Sequence, residues 1–169
     1  MLRIMTHVPA KQIFSESLGE SRFISVDVEK DVTIGDVNYI GKRALLTAPR
    51  WVRLVEELDN IDSAVECAAT LKPTQYKFYI GANWFVSISD ELPFVDIRRW
   101  YKKGNETNLR PTLVGIALTF AEWTLLKETA KQDAMKKIFE DVESCWHLSQ
   151  REELACPECT SPTAASRRL

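Results

Sequence analysis

A chain of 169 residues, 45% of them hydrophobic, has the material for a sizeable core and slightly exceeds the length expected of one domain. Its net charge of -2 excludes a uniformly basic surface, so any attraction for phosphate must come from local clusters of charge. No apolar run approaches the roughly 20 residues that cross a bilayer, the Met1 to Pro9 start lacks the features of a secretory signal, and four cysteines are few for a disulfide scaffold; together these point to a reducing, intracellular compartment.

In chain order, Gln12 to Ser17 and Ser21 to Val28 alternate or run apolar like strands, and the turn-prone Leu18-Gly19-Glu20 between them predicts a hairpin. Asp31 to Gly35 and Tyr39 to Leu46 read as two further strands. Thr47 and Pro49 then open a helix, a capping hydroxyl followed by proline in the first turn. Its stripe of Trp51, Leu54, Val55, Leu58, Ile61 and Val65, three or four residues apart, predicts one helix to about Ala69 with a face that must be buried. Leu71-Lys72-Pro73-Thr74 ends it, because proline disfavours helical geometry in the residue before it.

Beyond the break, Tyr76 to Ile80, Trp84 to Ser89, Phe94 to Tyr101 and Leu113 to Leu118 read as strands punctuated by Gly81, Pro93 and the polar loop Gly104 to Asn108. Thr119 with Glu122 forms a capping box for a last helix. Its predicted stripe is Trp123, Leu126, Ala130, Ala134 and Ile138, continuing to Val142 and Trp146. Trp51, Trp123 and Trp84 read as core anchors.

The two halves resemble each other. Setting Trp51 against Trp123 brings Leu46-Thr47 onto Leu118-Thr119 and Val26-Asp27-Val28 close to Val95-Asp96-Ile97. A period of about seventy residues is too long for a solenoid and fits a small duplicated, fused domain. The expected fold is therefore α+β: two tandem repeats of a curved antiparallel four-stranded sheet followed by a helix, packed as a pseudo-dimer. Residues 1–71 form a degenerate repeat, 72–148 the second repeat, and 149–169 a flexible tail.

Catalytic signatures are missing from the sequence. His7 and His147 are the only histidines, no Gly-rich phosphate loop or nucleophile elbow occurs, and the carboxylates are scattered as solvated faces. The expectation is a protein that is no enzyme and takes no cofactor. Cys145, His147, Cys156 and Cys159 are donor types suited to tetrahedral zinc, but their spacing follows no established pattern, and a frayed helix end with a loose tail competes with that reading.

The second half carries a family resemblance. Ile80-Gly81, Val86-Ser87-Ile88, Val95-Asp96-Ile97-Arg98, Arg110-Pro111, Gly115-Ile116-Ala117-Leu118 and Glu122-Trp123-Thr124-Leu125-Leu126-Lys127 resemble, in order, the blocks of the positive-cofactor-four transcriptional coactivator domain. The resemblance implies a curved sheet and helix that dimerise to form concave surfaces for single-stranded DNA, in transcription or replication and in the nucleus. Basic side chains and stacking aromatics grip the strand in that family, a combination that tolerates any sequence because every base has a flat face. Tyr101 occupies the family's aromatic position and Arg110 a basic one. Ala82, Ser89, Glu91 and Val114 stand where the family has other types, basic or aromatic. Lys42 aligns with Val114 and Arg43 with Gly115, restoring positive charge from the first repeat.

The candidate nucleic-acid-binding residues are thus Lys42, Arg43, Lys77, Phe85, Arg98, Arg99, Tyr101, Lys102, Lys103 and Arg110, with Phe85 and Tyr101 open to either stacking or interface roles. The partners expected are single-stranded DNA or RNA and transcription or replication proteins, without a membrane, the chain being an internal pseudo-dimer or a homodimer. The alternative is a protein-interaction or assembly module that kept the fold and lost nucleic-acid binding.

Overall fold

Alternation of apolar and polar residues makes the first strands, and each buries one face. In the computed structural model, which describes residues 11–144 and 155–156, a four-stranded antiparallel meander is built from β1 (Gln12–Ser17), β2 (Arg22–Asp27), β3 (Val32–Asp36) and β4 (Arg43–Leu46). Ile24 and Val26, Val32 and Ile34, and Ala44 and Leu46 supply its buried face. Two helices follow, α1 (Ala48–Glu56) and α2 (Leu58–Ala69). The second meander contains β5 (Gln75–Gly81), β6 (Trp84–Ser89), β7 (Leu92–Lys102) and β8 (Leu109–Thr119), and leads into α3 (Phe120–Lys131) and α4 (Asp133–Phe139). The tandem sheet-plus-helix architecture is the one the sequence pattern predicts.

Each single predicted helix is in fact two. Glu57 (φ -95°, ψ 1°) interrupts the first, and Gln132, extended at φ -65° and ψ 143°, interrupts the second. The second break rotates the apolar stripe. Trp123, Leu126 and Ala130 are buried as expected, but Ala134 is exposed, and Met135 and Phe139 take over the inner positions. Trp146 lies outside the described residues.

The rungs of the two sheets give the true correspondence between the halves. Val32 pairs with Leu46 and Gly35 with Arg43 in the first; Val95 pairs with Leu118 and Arg98 with Gly115 in the second. β3 is therefore the counterpart of β7. The alignment of Val26-Asp27-Val28 with Val95-Asp96-Ile97 is a local likeness of composition, corrected by strand order. The match of Leu46-Thr47 to Leu118-Thr119 and of Trp51 to Trp123 holds, each Trp being the fourth residue of its helix.

The helices of each unit also reach the other unit. The Arg53 Nε of α1 donates to the Tyr79 carbonyl at 3.0 Å, the Tyr76 hydroxyl donates to Glu57 Oε1 at 2.9 Å, and α2 packs on β6 and β7. Burial and the Glu57 carboxylate push the Tyr76 phenol well above its ordinary pKa, so it stays a donor. In the other direction, Gln132 donates to Glu16 at 2.8 Å, Lys30 pairs with Asp141 at 2.6 Å, and Phe139 lies 6.1 Å from Trp51. Arg22 of β2 pairs with Asp36 and approaches Glu122 of α3 at 3.9 Å. One continuous apolar cluster runs through both units, with Trp51, Trp84 and Trp123 among its largest buried side chains. The last strands, β4 and β8, lie side by side without joining into one sheet.

Gly115 marks the closest backbone approach. A Cβ there would lie 2.6 Å from the Ile97 carbonyl oxygen and 2.7 Å from the Arg98 Cα, atoms of the backbone that cannot turn aside. Gly41, in the turn between β3 and β4, has nothing within 4 Å of such an atom. Gly115→Ala is expected to lower stability by about 1–3 kcal/mol in urea unfolding, the usual range for overpacking, whereas Gly41→Ala changes it little. Equal midpoints for the two variants would contradict this account of the ladder.

Candidate nucleic-acid interface

Period-two geometry divides β7 into two faces. Val95, Ile97 and Arg99 point inward, and Asp96, Arg98 and Trp100 outward. β6 behaves likewise, with Trp84, Val86 and Ile88 inside and Phe85, Ser87 and Ser89 outside. The outer face of the second sheet is a groove of about 600 Å³ whose lining includes Lys77, Ser87, Phe94, Asp96, Arg98 and Trp100. Three aromatic rings step across adjacent strands along this face: Tyr79 and Phe85 have centroids 5.0 Å apart, and Phe85 and Trp100 lie 6.3 Å apart, edge to face.

Lys77 of β5 reaches over these rings. Its Nζ lies 3.3 Å from the Trp100 centroid and 4.8 Å from that of Phe85, a double cation–π contact. Burial of the ammonium there pushes its pKa below the ordinary lysine value. Arg98 crosses the groove floor in a forked pair with Asp96, Nε to Oδ2 and Nη2 to Oδ1 both at 3.0 Å, while Nη1 donates to the Thr112 carbonyl at 2.9 Å. A bulge in β8 makes that carbonyl available. Between the Arg98–Gly115 and Trp100–Pro111 rungs, Thr112, Leu113 and Val114 stand opposite Arg99 alone, and the Thr112 hydroxyl donates to the Arg99 carbonyl at 2.8 Å.

The other predicted residues are distributed unevenly. Phe85 is on the outer face, between Tyr79 and Trp100, as the alternation implies. Arg99 is 7% exposed and faces the core, so it is not placed for phosphate contact from the face that presents Arg98. Tyr101, Lys102 and Arg110 lie on the stretch of β7 and β8 beyond the last β6 rung, Trp84–Arg99, and Lys103 follows in the loop. All four are exposed. Arg110 is held by Glu106 through two contacts of 2.9 Å, which offsets its charge. In the first unit, Lys42 stands over the Tyr39 ring at 4.5 Å and Arg43 opens β4, both exposed. The corresponding outer face there presents Ser15, Ser17, Ser25, Thr33 and Gly35, with Phe23 lying across Gly35. The aromatic series thus belongs to the second unit.

Trp100 and Tyr79 are central to this surface and were not singled out from sequence. The signal was present: Trp100 has the same parity as Arg98 on β7, and the Arg98–Arg99 pair cannot share a face. Of the zinc-type donors, Cys145, His147 and Cys159 lie outside the described residues, as does His7. Among the described residues no three His, Cys, Asp or Glu side chains gather as a metal-binding group, and no helix is long and apolar enough to cross a membrane.

Residues 81–129, within the second unit, match the family model described as Transcriptional Coactivator p15 (PC4). Neither curated proteins nor solved structures gave a match to the chain.

The opposite placements of Arg98 and Arg99 make a direct test. Arg99→Glu is expected to destabilise by about 3–5 kcal/mol, the usual loss when a buried charge is left uncompensated, and Arg98→Glu by far less. Thermal unfolding of the two variants checks this; similar losses would show that the faces are wrongly assigned.

Proposed function

We propose that the chain binds single-stranded DNA through the outer face of its second sheet, at one site per chain, in a transcription-related role without catalysis. The observation that carries this reading is the Tyr79, Phe85 and Trp100 series, bordered by Lys77, Arg98 and the basic ribbon of Lys102 and Lys103. Flat rings bind any base by stacking, and the neighbouring cations engage the backbone. The p15-type family match to residues 81–129 supports the same ligand. The reciprocal helix packing supports an internal pseudo-dimer in which the first unit is a scaffold, contributing Lys42 and Arg43 as peripheral positive charge. Nuclear localisation and work in transcription or replication follow from the family and form part of the proposal.

A protein-interaction role is the second reading. It is favoured by the turn between β3 and β4, where Val37, Tyr39 and Ile40 are 59, 59 and 83% exposed.

Titration of a labelled oligothymidine of about 20 nucleotides, followed by anisotropy, tests the proposal. Binding should weaken steeply with salt through counterion release, saturate at one site per chain, and fall about 10-fold or more in Trp100→Ala, since each stacked base contributes about 1–3 kcal/mol. Absence of binding at low salt would overturn the nucleic-acid reading in favour of the protein-interaction one.

A further inference from the structure

The aromatic face that would receive a base is already covered by the protein's own lysine. The Lys77 ammonium stands 3.3 Å from the centre of the Trp100 ring, closer than a stacked base could lie while it remains. It also faces Phe85, the middle ring of the series. Among the described side chains no carboxylate holds Lys77 in an ion pair: Asp96, the acidic residue lining the groove, is engaged by Arg98. The position of the ammonium is therefore set by the rings, an attraction of modest strength and one that a flexible four-carbon stem can leave.

We propose that Lys77 is an internal occupant of the stacking site, which a nucleobase displaces, and that the released ammonium moves to the strand's phosphates. This rests on the single-strand reading and adds a mechanism for selectivity to it. The cation–π contact weakens loose, unstacked ligands that cannot displace the ammonium. A strand bringing both a base and an adjacent phosphate recovers the loss, because it offers the ammonium a new partner. The site therefore favours nucleotides in a chain over isolated aromatic molecules, and the same residue determines both the stacking threshold and part of the salt dependence. Other cations of the cluster differ: Arg98 is fixed by Asp96 and the Thr112 carbonyl, and Arg110 by Glu106.

The test follows the lysine and the ligand separately in the full chain. With lysine side chains labelled by carbon-13, the Lys77 ε-methylene signal, assigned by its loss in Lys77→Gln, should lie well upfield of the other lysines from the ring currents of Trp100 and Phe85. Addition of oligothymidine should return it to the exposed-lysine position in step with the anisotropy change. In parallel, Lys77→Gln should bind oligothymidine about 2- to 5-fold more tightly than the parent at high salt, where the phosphate contribution is screened and only the lost competition remains. Its salt dependence should be shallower by about one phosphate contact. A signal at the exposed position in the free protein, a signal that stays upfield when oligothymidine is saturating, or weaker binding by Lys77→Gln at every salt concentration would each overturn the displacement mechanism while leaving the nucleic-acid reading intact. No binding by either the parent or Lys77→Gln would overturn that reading and the displacement with it.

Discussion

The structure depends on apolar packing that the two halves share. A four-stranded meander has one apolar face, and the helix following it has one apolar stripe; here the α1–α2 segment turns to the second sheet while α3 and α4 make polar and aromatic contacts with the first unit. The result is a single apolar cluster containing Trp51, Trp84 and Trp123. Such an arrangement ties the two units together through the hydrophobic effect, the largest favourable contribution to folding. Polar contacts such as Tyr76 to Glu57 and Lys127 to Asp62 then fix the register of the two units.

The two units are alike in path and different in chemistry. At the equivalent rung, the first sheet pairs Gly35 with Arg43 and the second pairs Arg98 with Gly115, so that glycine and arginine have traded strands. In the second unit the glycine lets β8 approach the Arg98 backbone closely, and the arginine lies along the groove. In the first unit the Phe23 ring fills the space above Gly35, and Ser15, Ser17, Ser25 and Thr33 share that face with Arg43 and Leu45. The outer face of the second sheet carries a series of three aromatic rings that the first lacks.

Charge in the second unit is less available than its arginine and lysine content suggests. Asp96 and Glu106 each hold an arginine in a forked pair, Arg99 is in the interior, and Lys77 is drawn to the rings. Lys102 and Lys103 remain at the exposed end of the ribbon. The aromatic surface, rather than the basic cluster, thus distinguishes this face from an ordinary solvated sheet.

The sequence alone determined the eight strands, the helix starts after Thr47 and Thr119, the capping box at Thr119, and the resemblance of the second half to the coactivator domain; the Thr47 hydroxyl, expected to cap its helix, instead accepts from Arg50 Nη1 at 3.1 Å. These signals are local: hydrophobic alternation, capping hydroxyls and proline act over a few residues. Parity along β6 already put Phe85 opposite Trp84, and along β7 it separated Arg98 from Arg99. Tertiary structure decided the rest. The helix breaks at Glu57 and Gln132 are visible only in the folded chain, and the second puts Met135 rather than Ala134 on the inside. Strand order, set by hydrogen-bonded rungs, made β3 and not β2 the counterpart of β7. The joining of Lys77, Tyr79, Phe85 and Trp100 required three strands to lie side by side, because residues more than twenty positions apart in the chain become neighbours only when the sheet pairs them.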